Sequence, residues 1–218
     1  MSRKVSYAIT NRYAERSGRE LRYGFGAFLL AALLLAPCAA RATVLNVTST
    51  NDSGSGTLRQ AILDANALIG ADEIRFNLGA NKTITLTTKL PSLTTPIDVN
   101  GTSQAGWTGT PLIVIDGQNV AEDGFLITSR NCTIRGLVIN GFGGNGIAIS
   151  GADDVTVQGN WIGLNAAGTA AVRNGGSGIA AFGTSTSHRI GGKTVALRNV
   201  ISGNDVDGIT LSDASGDT

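Results

Sequence analysis

The sequence predicts an all-β fold, a parallel β-helix (solenoid) with a short capping helix at its N-terminal end. Three observations lead there: a strand motif written four times, a second aligned block between the copies, and no helical stretch separating them. The motif reads Gly124-Phe125-Leu126-Ile127-Thr128, Gly146-Ile147-Ala148-Ile149-Ser150, Gly178-Ile179-Ala180-Ala181-Phe182 and Gly208-Ile209-Thr210-Leu211-Ser212. Each copy is a glycine followed by two apolar residues spaced by one, the two-residue period of a strand with a single buried face. The copies start 22, 32 and 30 residues apart, a spacing typical of stacked repeats.

The second block is Ile134-Arg135-Gly136-Leu137-Val138-Ile139-Asn140, then Val157-Gln158-Gly159-Asn160-Trp161-Ile162-Gly163, then Arg198-Asn199-Val200-Ile201-Ser202. Two short strands per repeat with only Gly, Asn and Ser between them must stack parallel on the previous turn of chain. The register that follows puts Phe125, Ile147, Ile179 and Ile209 in one interior file and Ile127, Ile149, Ala181 and Leu211 in a second. Asn160 and Asn199 fall at one level of a turn, where side-chain amides bond each other and the backbone. Leu164 to Ser177 and Gly191 to Leu197 lengthen the period and are expected to loop outward.

From the start, residues 1–42 are expected to be a signal peptide. Basic residues from Arg3 to Arg22 precede an apolar run from Phe25 to Pro37, and Ala40-Arg41-Ala42 places small residues where signal peptidase reads them. The run is short for a membrane span, although a retained anchor is the alternative reading. Cleavage is expected near Thr43. The leader holds seven of the 17 Lys and Arg but two of the 16 acids, so the remainder carries ten basic against fourteen acidic residues, a net charge of −4. No basic stripe is left to neutralise phosphates, so nucleic acid is not an expected partner. One cysteine, Cys132, remains after cleavage and reads as a small apolar filler beside Ile134.

Residues 43–80 read as an N-terminal strand and capping helix. Val44 to Thr48 is a strand, Ser49 to Gly56 a polar turn, and Thr57 stands three residues before Gln60, a capping-box spacing. Leu58, Ala61, Ile62, Ala65 and Leu68 then form one apolar helical face, and Gly70 ends it. This is the one convincing helix outside the leader, and it reads as a lid over the first coil. Residues 81–218 read as the coils. The pairs Ile74 and Phe76, Ile84 and Leu86, Ile97 and Val99, and Ile113 and Ile115 mark the early, less regular strands, with Pro91, Pro96 and Pro111 at their edges. Trp107 sits in a loop expected to cover the side of the solenoid. The last strand is followed by no capping unit, so the coils are expected to continue in a longer parent chain.

Ser55-Gly56-Thr57-Leu58-Arg59-Gln60-Ala61-Ile62 followed by Ala71-Asp72-Glu73-Ile74-Arg75-Phe76 resembles the N-terminal motif of exported bacterial right-handed parallel β-helix repeat proteins. Gly159-Asn160-Trp161-Ile162-Gly163, Arg189-Ile190-Gly191-Gly192 and Arg198-Asn199-Val200-Ile201-Ser202-Gly203-Asn204 are similar to that family's repeat phrases. The resemblance implies a right-handed, pectin-lyase-like solenoid on secreted or surface proteins, many of them adhesin-like, with a minority of relatives acting on polysaccharides. It does not by itself imply an activity.

The expected function is a non-catalytic display or adhesion scaffold, exported to the periplasm, the cell surface or beyond. Its expected partner is a polysaccharide or cell-surface component, with no membrane span after cleavage. The rival is a polysaccharide lyase or glycoside hydrolase, which needs carboxylates or a base projecting from one sheet. The outward positions of the repeated strand are Leu126, Ala148, Ala180 and Thr210 in one row and Thr128, Ser150, Phe182 and Ser212 in the next, none able to exchange a proton near neutral pH. An enzyme should instead show acids, Arg or Lys converging in a groove outside that strand. Asp153-Asp154, Arg130, His188 and Asp213 sit in turns; the Asp doublet is flanked like an ordinary turn, and His188 reads as solvated. No catalytic, cofactor-binding or metal residue is therefore assigned, and no cofactor is expected. Gly141-Phe142-Gly143-Gly144-Asn145-Gly146 matches a dinucleotide fingerprint, but a strand follows where a helix is needed. The same glycines lack the aspartate of a calcium nonapeptide. Phe182 and Trp107 are the aromatic platforms available to a sugar ring.

Overall fold

A computed structural model describes residues 41–118 and 120–212; Asp213 and the expected signal peptide up to residue 40 lie outside the described residues. Fifteen strands are described, all paired in parallel: β1 (Val44–Val47), β2 (Asp72–Phe76), β3 (Thr83–Thr85), β4 (Ile97–Asn100), β5 (Ile113–Asp116), β6 (Phe125–Ile127), β7 (Thr133–Arg135), β8 (Leu137–Asn140), β9 (Ile147–Ser150), β10 (Thr156–Gln158), β11 (Trp161–Ile162), β12 (Ile179–Phe182), β13 (Arg189–Ile190), β14 (Val200–Ile201) and β15 (Ile209–Ser212). One α-helix, α1 (Leu58–Ala67), lies between β1 and β2.

The strands form three parallel sheets. The first has the order β1-β2-β4-β7-β10-β13, the second β14-β11-β8-β5-β3, and the third β15-β12-β9-β6. From β4 onward the chain visits first, second and third sheet in that order, four times over. Before that, the third position is held by a single bridge from Leu93 to Ile127.

Alternation explains the interior. In the third sheet Phe125 pairs with Ile147, Ile147 with Ile179, and Ile179 with Ile209, so the first expected file is in register, but only its first three members are interior, Ile209 being 43% exposed. The first sheet contributes Ile74, Val99, Ile134 and Val157, and the second Ile84, Ile115, Ile139 and Ile162, all fully buried in one cluster. Branched and aromatic side chains suit this pleated, one-sided burial.

Each turn of chain has three strands, not the two expected. The block Ile134 to Asn140 is two strands, β7 and β8, meeting at Gly136. Gly136 has φ +69, and a Cβ there would lie 2.6 Å from the Thr102 methyl, so one glycine makes the whole corner. A corner of one residue leaves no gap in the apolar pattern.

The helix begins as the sequence indicates, with the Thr57 hydroxyl accepting the Gln60 N–H at 3.2 Å. The Gln60 side chain, however, donates to Asp64 at 2.7 Å instead of reaching back, so the capping box is half made. Leu58, Ala61, Ile62 and Ala65 are buried, whereas Leu68 caps the C-terminus and is 38% exposed, off the expected face. A clasp fixes the preceding loop: Arg59 bonds the Asp52 carboxylate and the Thr88 and Lys89 carbonyls, while Asp52 accepts from the Thr87 hydroxyl.

The expected outward loops are only partly outward. Residues 165–172 are exposed or nearly so, but Asn174 is fully buried and Ser177 almost so. A Cβ at Gly168 would lie 2.6 Å from the Trp161 ring, so this segment folds back onto the outer face of the second sheet.

Candidate functional site

Polar ladders occupy the corners. Asn160 accepts the Leu137 N–H at 3.0 Å and donates to the Ile134 carbonyl at 2.8 Å. One turn later Asn199 does the same for Asn160, accepting its N–H at 3.0 Å and donating to the Val157 carbonyl at 2.7 Å. A second amide ladder, absent from the sequence reading, joins Asn174 to Asn204 at 2.9 Å, with Asn174 also accepting the Phe142 N–H. These side chains complete backbone hydrogen bonding at the bends and are structural.

The third sheet's outer rows pair as expected, Leu126 with Ala148, Ala180 and Thr210, and Ser150 with Phe182 and Ser212. The first row is not an open surface, since Ala148 is fully buried and Ala180 is 7% exposed. Phe182 is 38% exposed, so it offers one face to a ligand. Trp107 is half-buried with its Nε1 shut from solvent.

The turn residues are engaged in turns. Asp153 accepts from the Thr186 N–H and hydroxyl at 3.0 and 2.9 Å. Asp154 takes φ +56, at the position of Asn131 (φ +57) one turn before and Ser187 (φ +63) one turn after, and pairs with Arg130 at 3.3 Å. His188 is 1% exposed, contrary to the expected solvated position, and its Nδ1 accepts the Val155 N–H at 3.3 Å. Cys132 is fully buried, its thiol donates to the Thr95 carbonyl at 3.3 Å, and burial pushes its pKa up to about 11. Gly143, in the fingerprint, is packed so that a Cβ would lie 2.8 Å from the Ala121 Cα, a steric reason for glycine without any phosphate.

The cluster that sequence reading missed lies on the outer face of the first sheet. Register places Glu73 beside Asp98 and, two positions along, Arg75 beside Asn100 and Asn100 beside Arg135. Arg135 grips Asp98 with Nε at 3.0 Å and Nη2 at 2.6 Å. Arg75 pairs with Glu73 at 2.7 Å, Arg135 stands 3.7 Å from Glu73, and the Asn100 amide donates to Glu73 at 2.7 Å. Together with Thr43, Asp72 and Pro96 they line an open groove of about 500 Å³.

The electrostatics decide what this groove can do. The Arg75 hydrogen bond holds the Glu73 carboxyl below its ordinary value, burial opposing it, with Asn100 and Arg135 adding to the lowering. Arg75 is raised by Glu73, and Arg135 is raised by Asp98 against its own burial. Glu73 is thus no proton donor near neutral pH, and neither arginine is a base. The paired groups offer charge-assisted hydrogen bonding to a polar ligand, and Asp72 stands apart from them, in no ion pair among the described residues. Among the described residues no group of three or more His, Cys, Asp or Glu is placed to hold a metal ion, and no helix is long and apolar enough to cross a membrane. Neither a protein-family model nor any curated protein matches the chain.

Proposed function

We propose that the chain beyond the leader is a right-handed parallel β-helix repeat domain of the exported bacterial kind, acting as a non-catalytic display or adhesion scaffold. Support for the solenoid comes from three parallel sheets visited in fixed rotation and from the repeat phrases that resemble that family. Export is proposed from the basic leader, its apolar run and the small residues before Thr43.

The observation that carries the scaffold reading is the pairing of charges in the groove: Glu73 and Asp98 are locked to Arg75 and Arg135, and Glu73 is held in its ionised form. Its partner is a polysaccharide or other polyhydroxylated cell-surface component, whose hydroxyls both donate to carboxylates and accept from guanidinium groups. A polysaccharide lyase or glycoside hydrolase is the second reading, because acids and arginines do converge in one groove outside the repeated strand. Hydrolysis would need one carboxyl kept protonated opposite an ionised one, and Glu73 is shifted the wrong way.

Incubation of the exported protein with pectins, alginates and other uronate polymers separates the two. Retarded migration in polysaccharide-containing gels, weakened by Arg75→Ala, with no unsaturated products or new reducing ends, is expected. Product release that Glu73→Gln or Asp98→Asn abolishes would replace the scaffold with an enzyme.

A further inference from the structure

The expected cleavage bond, Ala42–Thr43, lies against a carboxyl group that lacks a counter-charge. Asp72 is 2% exposed, the only buried Asp or Glu side chain among the described residues. Its Oδ1 accepts the Thr43 N–H at 2.8 Å, while Oδ2 is shut from solvent with no hydrogen-bond partner. None of the ion pairs among the described residues includes it. Glu73 and Asp98, which line the same groove, are matched by Arg75 and Arg135. Burial of a carboxyl with one oxygen unanswered is costly, and such a group calls for an explanation.

We propose that the Asp72 site is completed by proteolytic maturation, when the new α-amino group of Thr43 pairs with the buried carboxylate. This rests on the export reading above. Hydrolysis adds water across the Ala42–Thr43 bond: the hydroxyl goes to the Ala42 carbonyl carbon, which departs with the leader as a carboxylate, and the Thr43 nitrogen takes up protons to become an ammonium group. Before cleavage that nitrogen offers one hydrogen, already used on Oδ1; afterwards it offers three and a full positive charge. The position is fixed in advance, because the Thr43 carbonyl accepts the Glu73 N–H at 2.9 Å and so docks the residue on β2. Arg41 and Ala42 are exposed, leaving the bond open to a protease. Removal of the leader therefore tightens the edge of the first sheet that carries β1.

The test begins with the full chain exported from a bacterial host, its N-terminus read by intact mass. From Arg41 onward the described residues form one compact unit, so chains released from a fusion to begin at Thr43 or at Ala42 are then compared by urea unfolding, each with and without Asp72→Asn. The expected results are an exported chain starting at Thr43 and an unfolding constant about tenfold smaller for the Thr43 start than for the Ala42 start. That gap should vanish in both Asp72→Asn chains and on acetylation of the Thr43 α-amine. Equal stability of the two starts, or a gap that survives Asp72→Asn, overturns the pairing while leaving export intact. An exported chain beginning elsewhere overturns it at the cleavage step.

Discussion

The first and last described strands, β1 and β15, each pair on one side only, and their inward side chains are covered to different degrees. In β1 Val47 is fully buried and Leu45 partly so, in one cluster with Leu58, Ala61, Ile62 and Ala65 of α1, which packs against the strand. At the other end Ile209 and Leu211 of β15 are 43% and 48% exposed, although they pair in register with Ile179 and Ala181, which are fully buried. β15 shares motif and register with β12, so the strand's own sequence does not set its burial. The turn of chain on its far side does, as nearest-neighbour stacking requires.

Substitution along a single file sharpens the contrast most. Phe125→Ala, in the closed part, should cost about 3–5 kcal/mol, whereas Ile209→Ala should cost under about 1 kcal/mol, both read from urea midpoints at unchanged slope. Similar losses at the two positions would mean that something buries Ile209 in solution. Next come the ladders. Asn160→Ala strands the Leu137 N–H and the Ile134 carbonyl in the interior, an expected loss of about 2 kcal/mol, with a smaller loss for Asn199→Ala, whose side chain is less buried. The smallest effect belongs to the charged face near the capped end. Glu73 is held below its ordinary value when folded, so its stabilisation is complete above that value and lost as the pH falls through the lower one. Glu73→Gln should flatten this acid limb of the stability profile and leave its neutral part nearly level; an unchanged acid limb would show that the Arg75 pairing contributes nothing measurable.

Local features of this fold were legible because they are written in adjacent residues. The four-fold motif, the Thr57 cap and the apolar face of α1 each occupy one short window. The second amide ladder was not legible, since Asn174 and Asn204 stand 30 residues apart in polar stretches of different phrasing. The groove escaped for the same reason: Arg135 meets Asp98 across 37 residues and Asn100 meets Glu73 across 27, so no window contains the cluster. His188 looked solvated because a turn in sequence says nothing of what packs above it. The outward rows that the repeated motif exposes to view belong to the third sheet, and the charges lie on the first.

The segment that rests on Trp161 leaves and rejoins the chain almost at one point. Gly163 accepts the Val172 N–H at 2.9 Å, Leu164 bridges Ala171, and the Asn165 N–H reaches the Ala170 carbonyl at 2.9 Å. A pinched neck of this sort uncouples the excursion from the strands on either side of it. Foreign peptide spliced between Asn165 and Ala170 would alter neither the level of β11 nor that of β12, which makes this bend a natural graft point for epitopes or binding loops.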